Sequence, residues 1–307
     1  MMVDVYTNPE KHVVLSNNVK VPILGLGTSH DGGYSHDAVV YALKNCGYRH
    51  VDTAKRYGCE RYIAQAVKAS DVPREEIFLA TKCWPTDYGA LTTKEAFKGS
   101  CQRLGVDYLD MYLLHWPEVR SGVKDRKQLL QETWRTLEVL LDEEQVRVIG
   151  VSNFLERHLE MILDECSVTP HVNQCEFHPF NNPKKLRQFC AERNIQFEGY
   201  SPLAKGRALR HPNVIAIAKS LCKTPSQVLI RWSLQNNIPS IPKSTKLERV
   251  MENSQVYDFT LSEGDMMTLD NMKQTLTCVD RSSIQAKIDN PLPDGYKLKL
   301  VKSPLEP

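Results

Sequence analysis

Four residues have the types and spacing to act on a carbonyl group: Asp52, Tyr57, Lys82 and His115. Each stands at or just beyond the end of an apolar run. A phenol can donate a proton, but it titrates near ~10, poorly matched to work at neutral pH. A cation within ~4–6 Å stabilises the phenolate and lowers that value. Lys82 is the candidate cation beside Tyr57, and Asp52 would hold Lys82 charged and in place. His115 would donate a hydrogen bond to the carbonyl. The chemistry is acid catalysis on a carbonyl whose carbon receives a nucleophile. Taken singly, each residue has a plainer explanation: a structural histidine, a lysine reaching water, an aspartate capping a helix. The set argues otherwise, because polar groups recur at strand exit after strand exit. Ser152-Asn153, Gln174, Tyr200-Ser201 and Lys243-Ser244 continue the series.

The elements that would position these residues alternate along the chain. Strand-like runs cover 23–27, 48–52, 77–82, 109–115, 146–152, 172–176, 195–201 and 238–243. Helix-period segments lie between them, with apolar positions recurring at three and four. An opening hairpin is expected in "HVVLSNNVKVP", turning at Ser16-Asn17-Asn18. Eight strand–helix units point to an α/β fold of the (β/α)₈ barrel type, with active residues at the C-terminal strand ends. The rival is a doubly wound open sheet, whose glycine-rich phosphate turn is missing. Gly25-Leu-Gly27 is followed by Thr28-Ser29-His30, so GxGxxG fails, and no P-loop or HExxH occurs. Residues 1–307 are expected to form a single barrel domain. The tail, roughly 272–307, carries no clear period and is expected to be a loop closing over a barrel end.

Composition narrows the partners. With 39 basic and 37 acidic residues, the net charge of +2 gives no reason to expect nucleic acid or a membrane surface. No run reaches the ~18 apolar residues of a membrane span, and no signal peptide is expected, since "MMVDVYTNPEKH" lacks an apolar core. The nine cysteines are scattered, without CxxC or a zinc-like pairing with histidine, so no metal is expected. A reduced, cytoplasmic compartment is expected.

The motifs resemble those of the aldo-keto reductase family. "DTAKRYG" carries Asp52 and Tyr57, "ATKCW" Lys82, and "LLHWP" His115. "GVSNF", "NQCEFHP", "GYSPL" and "IPKSTKLERVMEN" follow in the family's order, and the likeness runs from about residue 14 to 280. The resemblance implies hydride transfer from NADPH to an aldehyde or ketone, with Tyr57 delivering the proton. It implies that Ser152, Asn153 and Gln174 hold the carboxamide and that Tyr200 stacks on the nicotinamide. Ser201, Pro202 and Leu203 would lie along the pyrophosphate. Lys243, Ser244, Thr245 and Arg249 would face the 2′-phosphate, and Glu252 and Asn253 the adenine. Gly27, Thr28 and Asp52 complete the implied cofactor set. Trp84 and Trp116, directly after Lys82 and His115, would wall the substrate site beside Tyr57 and His115.

Departures from the family pattern bear on the substrate. Cys59 stands where many members have Asn. Lys246 replaces Thr or Asn and is expected to add a cation near the 2′-phosphate. The loop after His115 is about a dozen residues, short for the family, which suggests an open pocket taking a broad range of small carbonyls. Lys55 and Arg56 are expected to face solvent, and His50 and His178 to be structural. A monomer is expected. Two other uses of the fold stay open: a nucleotide-sensing regulatory subunit, which would carry an added N-terminal segment not expected here, and a crystallin-like structural protein with little turnover.

Overall fold

The computed structural model describes residues 11–29, 32–290 and 298–301. The first hairpin forms where the turn residues place it. β1 (His12–Val14) pairs antiparallel with β2 (Lys20–Pro22), and Asn18 takes the left-handed conformation (φ 64°) that a short polar side chain tolerates. Eight parallel strands follow: β3 (Leu26–Gly27), β4 (His50–Asp52), β5 (Phe78–Cys83), β6 (Leu109–Leu114), β7 (Val146–Ser152), β8 (Val172–Glu176), β9 (Gln196–Tyr200) and β10 (Ser240–Ile241). They lie side by side in chain order. The last returns to the first. The Gly25 N–H donates to the Ser240 carbonyl at 2.9 Å, the Gly27 N–H to that of Pro242 at 3.0 Å, and the Ser240 N–H to that of Ile23 at 2.8 Å. The fold is therefore the expected (β/α)₈ barrel. At the seam a Cβ on Gly27 would sit 2.8 Å from the Ile241 carbonyl oxygen, which is why glycine stands there. The hairpin lies at the N-terminal end of the barrel, where the Asn17 side chain donates to the Arg147 carbonyl at 2.9 Å.

Helices α1 (His36–Asn45), α2 (Glu60–Ala69), α3 (Ala90–Leu104), α4 (Arg126–Asp142), α5 (Glu156–Leu163) and α6 (Lys184–Ala191) each follow one strand, from β3 to β8. Two helices, α7 (Pro212–Ser220) and α8 (Pro225–Gln235), follow β9, and α9 (Leu247–Ser254) follows β10. Their apolar faces turn inward, as Leu130, Trp134 and Leu137 do in α4. The start of α8 combines a Thr224–Gln227 capping box with proline in the first turn, so its free N–H groups are satisfied locally. β5, β6 and β8 are buried throughout, as strands covered on both faces are, even though β8 carries the polar Asn173, Gln174 and Glu176.

The tail departs from the loop expected. After α10 (Glu263–Asp270), a 3₁₀ turn at Arg281–Ser283 leads into α11 (Ile284–Asp289). Its apolar face is only Ile284 and Ile288, too few positions to register as a period. Those two residues pack with Trp84 and Trp116, so this segment does close over the C-terminal end of the barrel. Farther on, the Tyr34 N–H donates to the Lys299 carbonyl and the Val301 N–H to the Tyr34 carbonyl (2.9 and 2.8 Å). The remaining tail positions, 291–297 and 302–307, lie outside the described residues.

Candidate active site

Strand register brings the first two candidates together. Asp52 pairs with Ala80 across β4 and β5, and Lys82 lies two residues farther along the same face. The Lys82 ammonium is 2.7 Å from both Asp52 oxygens and 2.9 Å from the Thr53 carbonyl. Three donors meet three acceptors. Both side chains are buried, and a buried ammonium persists only when paired and fully bonded in this way.

Tyr57 reaches the pair on a 3₁₀ turn, Lys55–Tyr57, that ends at Gly58 in the left-handed conformation (φ 71°). Its ring centroid is 5.4 Å from the Lys82 Nζ. His115 lies edge-on to Tyr57 at 5.6 Å and to Trp84 at 5.2 Å, and it stacks beside Trp116 at 6.5 Å. Asp52, Tyr57, Trp84, His115 and Trp116 thus line one cavity of about 380 Å³, with Gly27, Ser152, Asn153, Gln174, Tyr200 and Ser201. Cys59 has a definite place beneath this loop. Its thiol is buried against the Thr53 hydroxyl (3.4 Å) and the Thr28 carbonyl (3.6 Å), and burial pushes its pKa up. It links two strand exits under Tyr57 as a packed, inert thiol.

The opposite wall is a hydrogen-bonded chain. Asn153, left-handed at φ 65°, donates to the His115 carbonyl (3.0 Å) and the Ser152 hydroxyl (3.1 Å), and it accepts from the Tyr200 hydroxyl (2.7 Å). The Ser152 hydroxyl donates to the Gln174 carbonyl at 2.8 Å. A second cavity of about 500 Å³ shares Ser201, Lys205 and Lys243 with the first and continues past Pro202, Leu203, Ser244, Arg249, Glu252 and Asn253. Among the remaining candidates, Thr28 lies below the surface, its hydroxyl and N–H both donating to the Asp52 carbonyl. Thr245 is half-buried in the loop after Ser244 and does not line the groove; Lys246 is exposed and does not line it either. A larger groove of about 880 Å³ lies between the hairpin and α6, at the far end of the barrel, and contains none of these residues.

Of the two loop cations expected to face solvent, Lys55 stays partly exposed, whereas Arg56 does not simply face water. Lys55 pairs with Asp87 at 2.7 Å. The Arg56 guanidinium lies 5.2 Å over the Trp84 ring and lines the cavity. The tail supplies further lining from Cys278 to Lys287, which no motif announced. Glu176 clamps it: the Cys278 and Val279 N–H groups donate to its carboxylate at 2.6 and 3.1 Å, and His178 bonds it at 2.9 Å. Burial works against ionisation of Glu176, yet these bonds hold its carboxyl below the ordinary range. Glu176, His178 and Cys278 thereby come within 4.8 Å of one another as a structural anchor. His178 is structural, as expected, and so is His50, buried edge-on against Phe78.

This arrangement can protonate a carbonyl oxygen: a phenol next to a fixed ammonium, an imidazole at hand, aromatic walls and a long polar groove leading away. A model of the aldo/keto reductase family matches residues 24–274. An uncharacterized oxidoreductase of Caenorhabditis elegans is 48% identical over 286 residues, 93% of this chain and 88% of that protein. The 9,11-endoperoxide prostaglandin H2 reductase of Trypanosoma cruzi is 42% identical, covering 85% of this chain and 91% of its own. The glyoxal reductase of Bacillus subtilis is 41% identical, covering 87% and 95%.

Proposed function

This chain belongs to the aldo/keto reductase family, and on that premise we propose that it reduces small aldehydes and ketones to alcohols using NADPH. The observation that carries the reading is the buried Asp52–Lys82 pair, with the Tyr57 ring 5.4 Å from the ammonium and His115 edge-on to that ring. Tyr57 delivers the proton to the carbonyl oxygen as general acid. Lys82 stabilises the phenolate left behind, and Asp52 keeps Lys82 charged and in place. His115 hydrogen-bonds the same oxygen and orients it. NADPH, when bound, supplies the hydride to the carbonyl carbon.

The groove fits such a dinucleotide. Ser152, Asn153 and Gln174 hold the carboxamide, and Tyr200 stacks on the nicotinamide with its ring fixed by the bond to Asn153. Gly27, Thr28 and Asp52 support that end. Ser201, Pro202 and Leu203 follow the pyrophosphate. Lys243, Ser244 and Arg249, which line that groove, take the 2′-phosphate, where fixed cations distinguish a phosphate from a hydroxyl. Glu252 and Asn253 read the adenine. Trp84 and Trp116 wall the substrate site. The cavity of about 380 Å³ favours small carbonyls, as does the glyoxal reductase among the relatives. In this reading residues 1–307 act as one barrel unit, a cytosolic monomer, and nine free thiols suit a reducing compartment.

Purified protein should consume NADPH with members of a carbonyl panel: methylglyoxal, aromatic aldehydes, aldoses, quinones, steroid and prostanoid ketones. Protein that binds NADPH yet oxidises none of it with any of these would sink the enzyme reading.

A further inference from the structure

One buried ionisable side chain beneath the site has no part in the chemistry above. Glu198 sits in the middle of β9, only 1% exposed. Its Oε1 accepts from the Gln174 side-chain nitrogen at 3.2 Å, and that same nitrogen donates to Asp52 Oδ2 at 2.9 Å. We propose that Glu198 is a positioning residue: with Asp52 it engages both amide hydrogens of Gln174 and so turns the Gln174 side-chain oxygen toward the cofactor carboxamide. The inference rests on the NADPH reading of this site.

An amide nitrogen carries two hydrogens, and here each has its own acceptor. Two acceptors fix both the direction and the plane of the amide. One acceptor would fix the nitrogen but leave the plane free to rotate, swinging the oxygen. Gln174 lines the cavity beside Ser152 and Asn153, so the orientation of its oxygen decides whether it can accept from a carboxamide NH₂. The backbone of Gln174 is fixed separately, its carbonyl accepting from the Ser152 hydroxyl and the Asn153 N–H.

The surroundings suit a neutral Glu198. Around it stand Asp52 and His50 from β4, Lys82 from β5 and Gln174 from β8. The Lys82 charge is already matched by Asp52, at 2.7 Å. His50 is 4.0 Å away and held neutral, burial pushing its pKa down to about 4. Burial, then the Asp52 charge, raises the Glu198 carboxyl to about 8, so it keeps its proton at neutral pH. A neutral carboxyl still accepts through Oε1 and adds no second negative charge beside Asp52.

The test uses two dinucleotides, NADPH and its 3-acetylpyridine analogue, which has a methyl ketone instead of the carboxamide and so no NH₂ to donate. Dissociation constants come from quenching of tryptophan fluorescence. Glu198→Met, nearly isosteric but without an acceptor, should weaken NADPH about three- to tenfold while leaving the analogue within about twofold. Glu198→Gln keeps an acceptor and should hold NADPH within about twofold of the wild type. Equal losses for both dinucleotides, or no loss for NADPH, would overturn the proposal. If Glu198→Met does not fold, Glu198→Thr gives the same comparison with a β-branched side chain too short to reach Gln174. Wild-type protein that binds neither dinucleotide would take down the NADPH reading itself. Wild-type binding without the differential effect defeats the Glu198 role alone.

Discussion

The two sides of the cavity are built differently. Its floor comes from barrel strands locked by register: Asp52, Lys82, Gln174 and Glu198 are each at most 2% exposed and tied together by hydrogen bonds. Its roof comes from the tail, where Ile284 and Ile288 rest on Trp84 and Trp116 and Glu176 holds two backbone amides. The floor depends on paired charges in a low-dielectric interior and tolerates little change. The roof depends on a small apolar contact and one carboxylate clamp, so it can vary without disturbing the chemistry beneath. Perturbing the floor should change rate and stability, whereas perturbing the roof should change substrate selection.

The largest effect is expected at the floor. Lys82→Met leaves the Asp52 carboxylate buried without its cation, which should cost about 3–5 kcal/mol of stability by denaturant titration. It should also cut kcat by ~10²–10⁴-fold. A variant as stable as the wild type would show that the pair is not the keystone described.

Next is pH. Glu198 keeps its proton in the folded state up to about 8 but would lose it near ~4.3 when unfolded. The unfolded chain then binds fewer protons across that window, so this residue makes stability fall as pH rises. Below ~6.5 His50 works the other way, since it stays neutral in the fold to about 4 and protonates earlier when unfolded. Above that point the Glu198 effect stands clear of His50. From pH 6.5 to 8 the wild type should therefore lose stability relative to Glu198→Gln. Parallel stability curves would contradict it.

Cofactor and roof variants should have smaller effects. Lys243→Ala should raise the KM for NADPH about tenfold and barely change that for NADH, because a charged bond to the 2′-phosphate is lost. Equal changes would refute that role. Ile288→Ala should raise the KM for carbonyl substrates about threefold through a loosened roof, leaving the KM for NADPH unchanged. A change in NADPH affinity instead would mean that roof and floor are coupled.

The floor was the more legible side in the sequence. A polar residue ending an apolar strand announces itself, and strand order then assigns Asp52, Lys82, His115 and Gln174 to one barrel mouth. Glu198 does not announce itself, because Gln196 and Glu198 alternate with Ile195 and Phe197 in "IQFEGYS" as on any ordinary strand. The place of Arg56 is hidden in the sequence, because a cation in a loop ordinarily faces water and only the folded chain sets it over Trp84. The role of Cys59 emerges only in the fold, where Thr53 and Thr28, six and 31 residues earlier, come within reach of its thiol. The roof was least legible: two isoleucines four apart do not make a helical pattern, and their partners, Trp84 and Trp116, lie far back in the chain.

The account turns on Tyr57 as the proton donor. The most direct test measures NADPH binding and carbonyl-dependent NADPH oxidation side by side for the wild type and Tyr57→Phe. The variant should bind NADPH as the wild type does and lose ~10²–10⁴-fold in kcat; wild-type kcat in Tyr57→Phe would contradict the account.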